Sequence, residues 1–576
     1  MLYAQVVVKQ RTSAHELTYE IPASMLPYIK VGSLVTAPLR RRQVTGIVVE
    51  LQQRLEHKLR GKVRPIAKLE RDQQLSERQI EVIKKLAAHY GASNAEVAFH
   101  ALKYSFIPKV QTVRSTEKPT FIQAKTSRRY EEYLKIITRD DGTTFLVLFA
   151  QKNFAQEFAR IAAKVVGEVV LDNDKSQARR IMQDRLGSGK RIVLVGTIQQ
   201  AFFPLDSGDC IIVDQPSHIG AKQQQRPFMR LGRIAEIRAT TESLRLITGD
   251  ILPEVGILPK FLRHEWQLQS HPPTAQPLLI FSRQGTRSFL VPGVEDELRT
   301  RASVKGKVLI IVLSRGVAPA LVCADCAQII DCANCGRTIS VTRSKLKCRY
   351  CSHEQAIPSK CPNCNRNNLR PVGEGVESAM SYVRQLVPNV EVEVFSSDQP
   401  VFPHRAKIVI STEKIFNVPR AEFDSVFFLS VDRLLSGTEI ESAWELMNYI
   451  LTLPGEKIIQ TYLPEHRLWG YAGTGNIKKF FTEELTLRRR YRLPPYSVFF
   501  AVVGQSSALE SLQRQAKIIT DNLAEILPAA EIGLAEYELL TEHHGKIGIL
   551  TSRLTNRQKE TIRETLPPNW HLDIEP

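Results

Sequence analysis

The sequence predicts a multidomain α/β protein, and three observations support this prediction. In two long stretches, short apolar strands alternate with amphipathic helices, which is typical of parallel sheets covered by helices. A block of cysteine pairs interrupts the second stretch. Strand-rich sequence before and after them predicts a β-rich N-terminal domain and a C-terminal α+β domain. With 576 residues, the chain is long enough for several cores.

The N-terminal domain is predicted over residues 1–110. AQVVVK, LTYEIP, SLVTAPL and TGIVVELQ are short strand candidates, separated by Gly, Pro and basic turns. A helix follows in SERQIEVIKKLAAHY, where apolar residues recur at helical spacing and Gly91 is a stop signal. Residues 107–120 are polar and bounded by proline, which predicts a linker.

Two parallel-sheet units and a C-terminal domain account for the rest. The first unit is predicted at 121–255, with buried-type strands such as TTFLVLFA and CIIVDQ. The second, at 256–322 and 365–485, contains KVLIIVL, KIVIST and SVFFLSVD. A C-terminal α+β domain is predicted at 490–576.

Charge and composition narrow the function. Lys and Arg total 78 against 60 Asp and Glu, a formal charge of +18, which favours a polyanionic partner such as nucleic acid. The alternative is a solvated basic surface without a dedicated partner. No signal peptide and no membrane-spanning stretch are visible, so we expect a cytoplasmic protein without a membrane partner.

Eight of the nine cysteines form four C-x-x-C pairs within residues 323–364. Each pair places two thiolates on one side of a tight turn, and two such turns complete a closed tetrahedral Zn²⁺ site. We therefore predict two structural zinc ions, against the alternatives of chance cysteines or a redox pair. The ninth cysteine, Cys210, lies in an apolar strand and is predicted to be a buried core residue. The predicted ligands are Cys323, Cys326, Cys332, Cys335, Cys348, Cys351, Cys361 and Cys364.

The segment RGVAPALVCADC before the cysteines and PVGEGVES after them resemble the bacterial replication-restart helicase family PriA. The resemblance continues in LTYEIP and VGSLVTAP near the N-terminus and in LRRRYRLPPYSVFF near the C-terminus. It implies two RecA-like lobes, an N-terminal DNA-binding domain, forked or branched DNA as substrate, and primosome, helicase-loading and single-strand-binding proteins as partners. It also implies a nested pairing: Cys323, Cys326, Cys361 and Cys364 hold one zinc, and Cys332, Cys335, Cys348 and Cys351 the other.

The sequence departs from this family at the ATPase motifs. A P-loop needs glycines whose amides cradle phosphate, but the matching segment reads FIQAKTSRRYEEY, with Lys125 as a remnant. The acidic motif reads Asp214-Gln215-Pro216-Ser217, so Asp214 is a second remnant and Gln215 cannot act as a base. LMNYILTLPGEK stands where the family supplies an arginine finger. We therefore expect no catalytic residues and no functional ATP–Mg²⁺ site.

The DNA-facing residues are retained in part. Arg40, Arg41 and Arg42 form a basic turn, and the resemblance places Leu17, Thr18, Arg40 and Arg64 in a pocket for a 3′ end. The family prefers Phe-Asp at the first two positions, so we expect general DNA binding rather than selective 3′-end recognition. A second cluster (Arg488, Arg489, Arg490 and Arg492) is either a DNA or protein contact or the polar end of a helix.

Three functions are compatible with these features. The favoured one is a non-motor DNA-binding protein that recognises abandoned forks and helps reload the replicative helicase. The second is an active, diverged ATP-dependent 3′-to-5′ helicase. The third is a zinc-dependent nucleic-acid-binding module of another pathway.

Overall fold

The computed structural model describes most of the chain, and the statements below concern that part. No helix in it is long and apolar enough to cross a bilayer. Residues 107–116 of the predicted linker lie outside it. The described residues are 2–8, 16–55, 59, 61–102, 117–140, 142–167, 169–171, 191–272, 277–284, 288–312, 320–323, 325–326, 328–333, 339–341, 345–348, 353–372, 375–397, 399–429, 431–435, 442–506, 508–527, 532–541 and 544–575.

The N-terminal domain is one six-stranded sheet followed by two helices. The predicted helix is confirmed: Ser76 caps its start in a capping box with Gln79, and Gly91 ends it at φ 60°. The elements are β1 (Tyr3–Val8), β2 (Leu17–Glu20), β3 (Leu34–Leu39), β4 (Arg42–Gln52), β5 (Arg64–Pro65), β6 (Lys68–Arg71), α1 (Glu77–Tyr90) and α2 (Asn94–Ala101). The strand order is β5-β2-β1-β4-β3-β6.

The first lobe is a seven-stranded, fully parallel sheet. Its elements are β7 (Thr120–Gln123), α3 (Thr126–Arg139), β8 (Thr144–Phe149), α4 (Lys152–Val166), β9 (Val169–Leu171), β10 (Ile192–Gly196), β11 (Cys210–Asp214), α5 (Leu231–Glu242), β12 (Arg245–Asp250), α6 (Leu258–Leu262) and β13 (Gln267–Ser270). The order is β13-β7-β12-β11-β8-β10-β9. Because β13 pairs with β7, the first sheet extends beyond the predicted boundary at residue 255. The polar sequence of β13 has no buried-strand signal, so the sequence does not indicate that this strand joins the first sheet.

The second lobe is a six-stranded parallel sheet with the cysteine-rich segment inserted after its second strand. The elements are β14 (Leu278–Ser282), α7 (Pro292–Ser303), β15 (Val308–Ile311), β16 (Ala320–Cys323), β17 (Ser340–Val341), β18 (Leu346–Lys347), β19 (Glu354–Gln355), β20 (Leu369–Val372), α8 (Val376–Leu386), β21 (Val392–Phe395), β22 (Ile408–Ser411), β23 (Ser425–Phe428), α9 (Asp432–Leu435), α10 (Ser442–Thr452), β24 (Glu456–Thr461), α11 (Arg467–Thr474) and α12 (Ile477–Arg490). Its order is β14-β24-β23-β15-β22-β21. Two parallel sheets bearing helices confirm the predicted fold class.

The cysteine-rich insertion has two small sheets of its own. β16 pairs with β20, so both ends of the insertion leave the second lobe side by side. Between them, β17, β18 and β19 form a three-stranded antiparallel sheet. The described part of the insertion buries only a small apolar core, so the segment needs a further source of stability. The buried apolar side chains are Leu321, Ile330, Ile339, Val341 and Leu346.

The C-terminal domain is a four-stranded antiparallel sheet with two helices. Its elements are β25 (Val498–Gln505), α13 (Leu509–Ile526), β26 (Ile532–Thr541), β27 (His544–Thr551), α14 (Asn556–Thr565) and β28 (Trp570–Asp573), in the order β26-β27-β25-β28. One continuous apolar core joins this sheet to α1, α2 and one face of the first lobe. Beyond β28, Glu575 contacts His89 and Tyr90 of α1 and Arg233 of α5, so three domains meet at one carboxylate.

Candidate functional site

The connection between β7 and α3 is the position at which a P-loop would bind phosphate. A P-loop occupies several residues between its strand and its helix. Here β7 ends at Gln123 and α3 begins at Thr126, so only Ala124 and Lys125 connect them. Lys125 is the N-cap residue and its side chain makes no capping hydrogen bond. This connection is shorter than the loop of a P-loop.

Asp214, at the carboxyl end of β11, is bound by two side chains from α3. The Arg129 guanidinium donates from Nε to Asp214 Oδ1 at 2.7 Å and from Nη2 to Oδ2 at 3.1 Å. The Tyr133 hydroxyl donates to Oδ1 at 2.8 Å. Both the arginine and the aspartate are almost completely excluded from solvent, with exposures of 1% and 0%. Both oxygens with which Asp214 could approach Mg²⁺ are therefore engaged by the protein itself.

Arg129 also binds the P-loop remnant. Its Nη1 donates to the Ala124 carbonyl at 2.7 Å, and its Nη2 lies 3.3 Å from Thr126 Oγ1. Burial by itself lowers the pKa of Arg129, but the charge of Asp214 and its hydrogen bonds outweigh burial and raise the pKa above its usual range. The guanidinium is therefore a permanent cation between the two remnants of the nucleotide site.

A second carboxylate, Asp250 at the end of β12, lies in the same cluster. It is 3% exposed and accepts hydrogen bonds from the Ser217 hydroxyl and the Ile251 amide. Burial raises its pKa to about 6, against the charge of Arg129, which lowers it. The surroundings of Gly249, next to Asp250, are closely packed. A side chain at this position would not fit, because its Cβ would lie 2.0 Å from the Tyr133 hydroxyl.

Polar contacts join the two lobes above this cluster. Asn417 Oδ1 of the second lobe lies 2.6 Å from Gln151 Nε2 and 3.2 Å from His218 Nε2 of the first. The Gly220 amide donates to His218 Nδ1, so His218 Nε2 carries the ring proton and donates to Asn417. Arg420 of the second lobe pairs with Glu157 of α4 at 3.0 Å.

The interface between the lobes is also apolar. Ile251, Leu252, Val255 and Leu258 follow β12 of the first lobe, yet they belong to the buried core of the second. Ile251 and Leu252 are 1% and 0% exposed. The lobes are therefore packed against each other through a shared core.

The arginine-finger position lies in α10, and no arginine occurs in that helix. Leu446, Met447 and Ile450 point into the core. Arg420 is the arginine of the second lobe that reaches α4, but it is bound by Glu157. Sequence reasoning did not identify Arg129 or Tyr133. The available signal was their spacing of four residues, which puts both on the apolar face of α3. An arginine on a buried face requires a nearby acid, so an acidic partner could have been expected.

Four of the predicted zinc ligands lie together. The sulfur atoms of Cys323, Cys326, Cys361 and Cys364 are all within 4.8 Å of one another. Cys323 and Cys364 are 3.5 Å apart and Cys326 and Cys361 3.7 Å, too far for disulfides. A tetrahedral zinc with arms of ~2.3 Å has sulfur–sulfur edges of roughly 3.8 Å, so this arrangement fits a closed metal site.

The other four cysteines are described in part. Cys332 and Cys348 are both buried beside the three-stranded sheet, whereas Cys335 and Cys351 lie outside the described residues. The contacts of that second set are therefore not described. Cys210 is fully buried in β11, which confirms the prediction of a core residue.

The predicted DNA-binding residues come from both sides of the strand order of the N-terminal sheet, β2 and β5 on one side and the β3–β4 turn on the other. Hydrogen bonds from Arg64 to Arg40 and from Tyr19 to Pro38 bring them together at one rim, called the N-terminal edge below. Arg40 and Arg41 form the turn between β3 and β4, with Arg40 in the left-handed region at φ 55°. Arg64 Nη1 donates to the Arg40 carbonyl at 2.9 Å, and β5 pairs with β2 through Tyr19 and Arg64. The structure therefore brings Arg40, Arg64 and β2 together.

The side chains of this edge differ in exposure. Arg40, Arg41, Arg42 and Arg64 are all exposed, which suits contacts to phosphate. Leu17 and Thr18 are half-buried, and Leu17 packs against the core of the domain. The edge thus presents four cations and little aromatic or acidic surface.

Comparisons with known proteins agree with this arrangement. Residues 5–103 match the family model of the PriA 3′DNA-binding domain (3′BD). The replication restart protein PriA of Rickettsia prowazekii is 22% identical over 604 aligned residues, covering 92% of both chains. PriA of Bacillus subtilis is 23% identical over 373 residues, covering 58% of this chain and 46% of that one.

Among solved structures, a DEAD box protein from Methanococcus jannaschii is 10% identical, with a TM-score of 0.29, and covers 73% of this chain and 96% of its own. The relatives that align over nearly the whole chain carry more weight, together with the match of the N-terminal domain. The match of residues 5–103 and the alignments over most of the chain support a PriA-family protein.

Proposed function

We propose that this protein acts in replication restart as a DNA-binding primosomal protein that does not unwind DNA with ATP. The observation that carries the proposal is the buried ion pair between Arg129 and Asp214. In a motor, the acidic residue at this strand end holds Mg²⁺ and the helix beside it receives phosphate. In this protein a protein cation stands between those two positions.

Nucleotide binding would first have to break this pair. Separating a buried ion pair by removing one partner costs about 3 to 5 kcal/mol. Mg²⁺ would also meet a guanidinium whose Nε is 2.7 Å from the carboxylate oxygen it needs. The two-residue connection between β7 and α3 provides no amide cradle to offset this cost.

A motor also needs its lobes to open and close during each cycle. The contacts of Asn417 with Gln151 and His218 tie the lobes together on the polar side. The apolar segment around Leu252 ties them through the core of the second lobe. Opening would expose that segment to water, so these contacts favour a fixed arrangement of the lobes.

DNA binding is assigned to the N-terminal edge that carries Arg40, Arg41, Arg42 and Arg64. Its exposed cations suit the phosphates of forked or branched DNA. Because the half-buried Leu17 and Thr18 provide neither an exposed ring nor a carboxylate, binding without strong selection for a 3′ end is expected.

The cysteine-rich insertion is proposed to hold two zinc ions. One is held by Cys323, Cys326, Cys361 and Cys364, whose sulfur spacing fits this metal. The other is assigned to Cys332, Cys335, Cys348 and Cys351. Zinc stabilises an insertion whose apolar core is small, and the insertion is a platform for partners.

The proposed partners are the proteins that load the replicative helicase, other primosome proteins and the single-strand-binding protein. The proposed location is the bacterial cytoplasm, on the nucleoid. This assignment rests on the family and on the basic N-terminal domain, and relatives named for replication restart support it.

The decisive experiment measures ATP binding and hydrolysis by the purified, zinc-loaded protein with and without forked DNA. We expect fork binding without ATP binding and without DNA-stimulated phosphate release. A Lys125→Ala variant, purified identically, measures contaminating ATPase. Fork-stimulated hydrolysis that disappears in Lys125→Ala or Asp214→Asn would overturn the proposal and favour an active, diverged helicase.

A further inference from the structure

The arginine cluster at the end of α12 separates into one buried and three exposed side chains. Arg488 is 1% exposed; its Nε donates to Glu484 at 2.9 Å and its Nη1 to the Pro494 carbonyl at 3.0 Å. Arg489, Arg490 and Arg492 are exposed. Arg488 therefore has a structural role, and the exposed residues need a separate explanation.

Tyr491 lies among the exposed arginines and is 62% exposed itself. We refer to Arg489, Arg490, Tyr491 and Arg492 as the basic–aromatic turn. The Arg490 guanidinium lies 5.9 Å from the Tyr491 ring centroid. Among the described residues, no carboxylate pairs with the three arginines. This surface is therefore a concentration of uncompensated positive charge around an exposed ring.

The turn is held in one backbone conformation. The Tyr491 amide donates to the Leu487 carbonyl at 2.9 Å, and the Leu493 amide to the Arg488 carbonyl at 2.8 Å. Arg492 lies in the left-handed region at φ 51°, which is uncommon for a residue with a side chain. Because the backbone is held, Tyr491 and its arginines are presented to solvent without a large ordering cost on binding.

A second aromatic side chain follows directly in the chain. Tyr496, just after the turn, is 39% exposed, and its amide donates to the Leu493 carbonyl at 2.9 Å.

The position of arginines at a helix C-terminus has a simpler explanation, since cations there stabilise the helix dipole. That explanation covers Arg489 and Arg490. It does not cover Tyr491 and Arg492, which follow the helix, or the exposed ring of Tyr496. Exposed aromatic rings interleaved with arginines are the surface that unpaired bases and their phosphates recognise.

We propose that the basic–aromatic turn binds single-stranded DNA, with a base stacked on Tyr491 and phosphates paired with Arg489, Arg490 and Arg492. Single strands are favoured over duplex because a duplex hides the faces of its bases. The site lies in the segment between the second lobe and the C-terminal domain, and it is separate from the arginines of the N-terminal edge.

The test uses the full-length, zinc-loaded protein and a fluorescent oligothymidylate of roughly 12 nucleotides, within the usual range of single-strand sites. Anisotropy titrations over a salt series compare the unmodified protein with Arg489→Gln/Arg490→Gln and with Tyr491→Leu. The matched control is Lys478→Gln/Lys479→Gln, which removes two exposed cations from the other end of the same helix. Duplex DNA of the same length is titrated in parallel.

The double arginine variant should bind the oligonucleotide more weakly and lower the salt slope by roughly 1.4, from about 0.7 for each phosphate contact. Tyr491→Leu should weaken single-strand binding by about fivefold or more, with duplex binding unchanged. The lysine control should differ from the unmodified protein by less than about twofold.

Thermal melting curves and zinc content check that each variant is folded. Unchanged single-strand binding in both turn variants overturns the proposal. Equal losses on single strand and duplex overturn the stacking role of Tyr491. Loss of binding to polyglutamate, with oligonucleotide binding unchanged, overturns it in favour of an acidic protein partner.

Discussion

The guanidinium of Arg129 and the carboxylate of Asp214 form a bidentate ion pair inside the first lobe. Nε lies 2.7 Å from Oδ1 and Nη2 lies 3.1 Å from Oδ2. The two residues are 85 positions apart in the chain and almost fully buried. Arg129 lies in the first turn of α3 and Asp214 at the carboxyl end of β11. The pair engages both carboxylate oxygens of Asp214 inside the protein.

Replacing Arg129 by Ala should destabilise the first lobe by about 3 to 5 kcal/mol, because Asp214 then remains buried without a counter-charge. Thermal and urea unfolding measure the change. Arg128→Ala is the matched control: it is the neighbouring residue, its side chain is 43% exposed, and its ion pairs should contribute less than about 1 kcal/mol. A similar small change in both variants would contradict the structural role of the pair.

Removing both charges should cost less than removing one. Arg129→Met/Asp214→Leu leaves no buried charge from this pair, so we expect higher stability than in Arg129→Ala. The Tyr133 hydroxyl loses its acceptor in this variant, which limits the recovery. Urea unfolding of the single and double variants forms the thermodynamic cycle. A double variant less stable than Arg129→Ala would show that the pair itself is strongly favourable.

Asp250→Asn should stabilise the protein at neutral pH. Burial raises the pKa of Asp250 to about 6 from an ordinary value of 3.8, so ionising it in the folded chain costs about 3 kcal/mol. The folded protein loses this stability as pH rises from 3.8 through about 6, where the unfolded chain ionises Asp250 more readily than the folded chain does. Asparagine does not ionise and therefore does not lose it. The gain in unfolding free energy should be about 2 kcal/mol larger at pH 7.5 than at pH 4.5. An equal effect at both pH values would contradict the raised pKa.

Glu575→Gln should lower the free energy of unfolding, because Glu575 of the C-terminal domain contacts both the N-terminal domain and the first lobe. Burial alone would raise the pKa of Glu575, but hydrogen bonds from His89 and Tyr90 and the charge of Arg233 hold it well below its usual range. Its stabilisation is therefore complete above the ordinary carboxyl pKa and is lost as pH falls toward the lowered value.

We expect Glu575→Gln to lower stability by about 2 kcal/mol or more at pH 7, measured by thermal melting. The exposed Glu560→Gln on α14 is the control. The destabilisation caused by Glu575→Gln should become smaller as the pH is lowered below the ordinary carboxyl pKa. A destabilisation of the same size at low pH and at pH 7 would show that the charge of Glu575 does not cause it.

Zinc removal should unfold the cysteine-rich insertion while the lobes remain folded, because the small apolar core of the insertion is too little to hold it without metal. Atomic absorption should find two zinc ions per chain, one after Cys323→Ser, and two after Cys210→Ala, since Cys210 is buried away from the cluster. Proteolysis after chelation should cut first within 323–364. Retention of all metal in Cys323→Ser would contradict the assignment.

Several features could be predicted from the sequence because their signals are local. Helical spacing, the Ser76 cap and Gly91 are sufficient for α1, and alternating strands and helices indicated both parallel sheets. The C-x-x-C turns indicated ligand pairs, since each turn holds its own two sulfurs. None of these conclusions needs residues distant in sequence to meet.

The tertiary structure decided which of the charged side chains are buried and which charges they meet. Arg129 appears in the sequence as one of two adjacent arginines at the start of a helix, and only the packing of α3 on the sheet separates the buried Arg129 from the exposed Arg128. Packing likewise buries Arg488 and leaves its neighbour Arg489 exposed. It also pairs β13 with β7, so that this strand belongs to the first sheet. Sequence determines periodicity and the chemistry of side chains. How the elements pack decides which charged groups are buried together. Burial matters because a charge without water must be paired, and breaking a buried pair costs several kcal/mol, roughly, in stability.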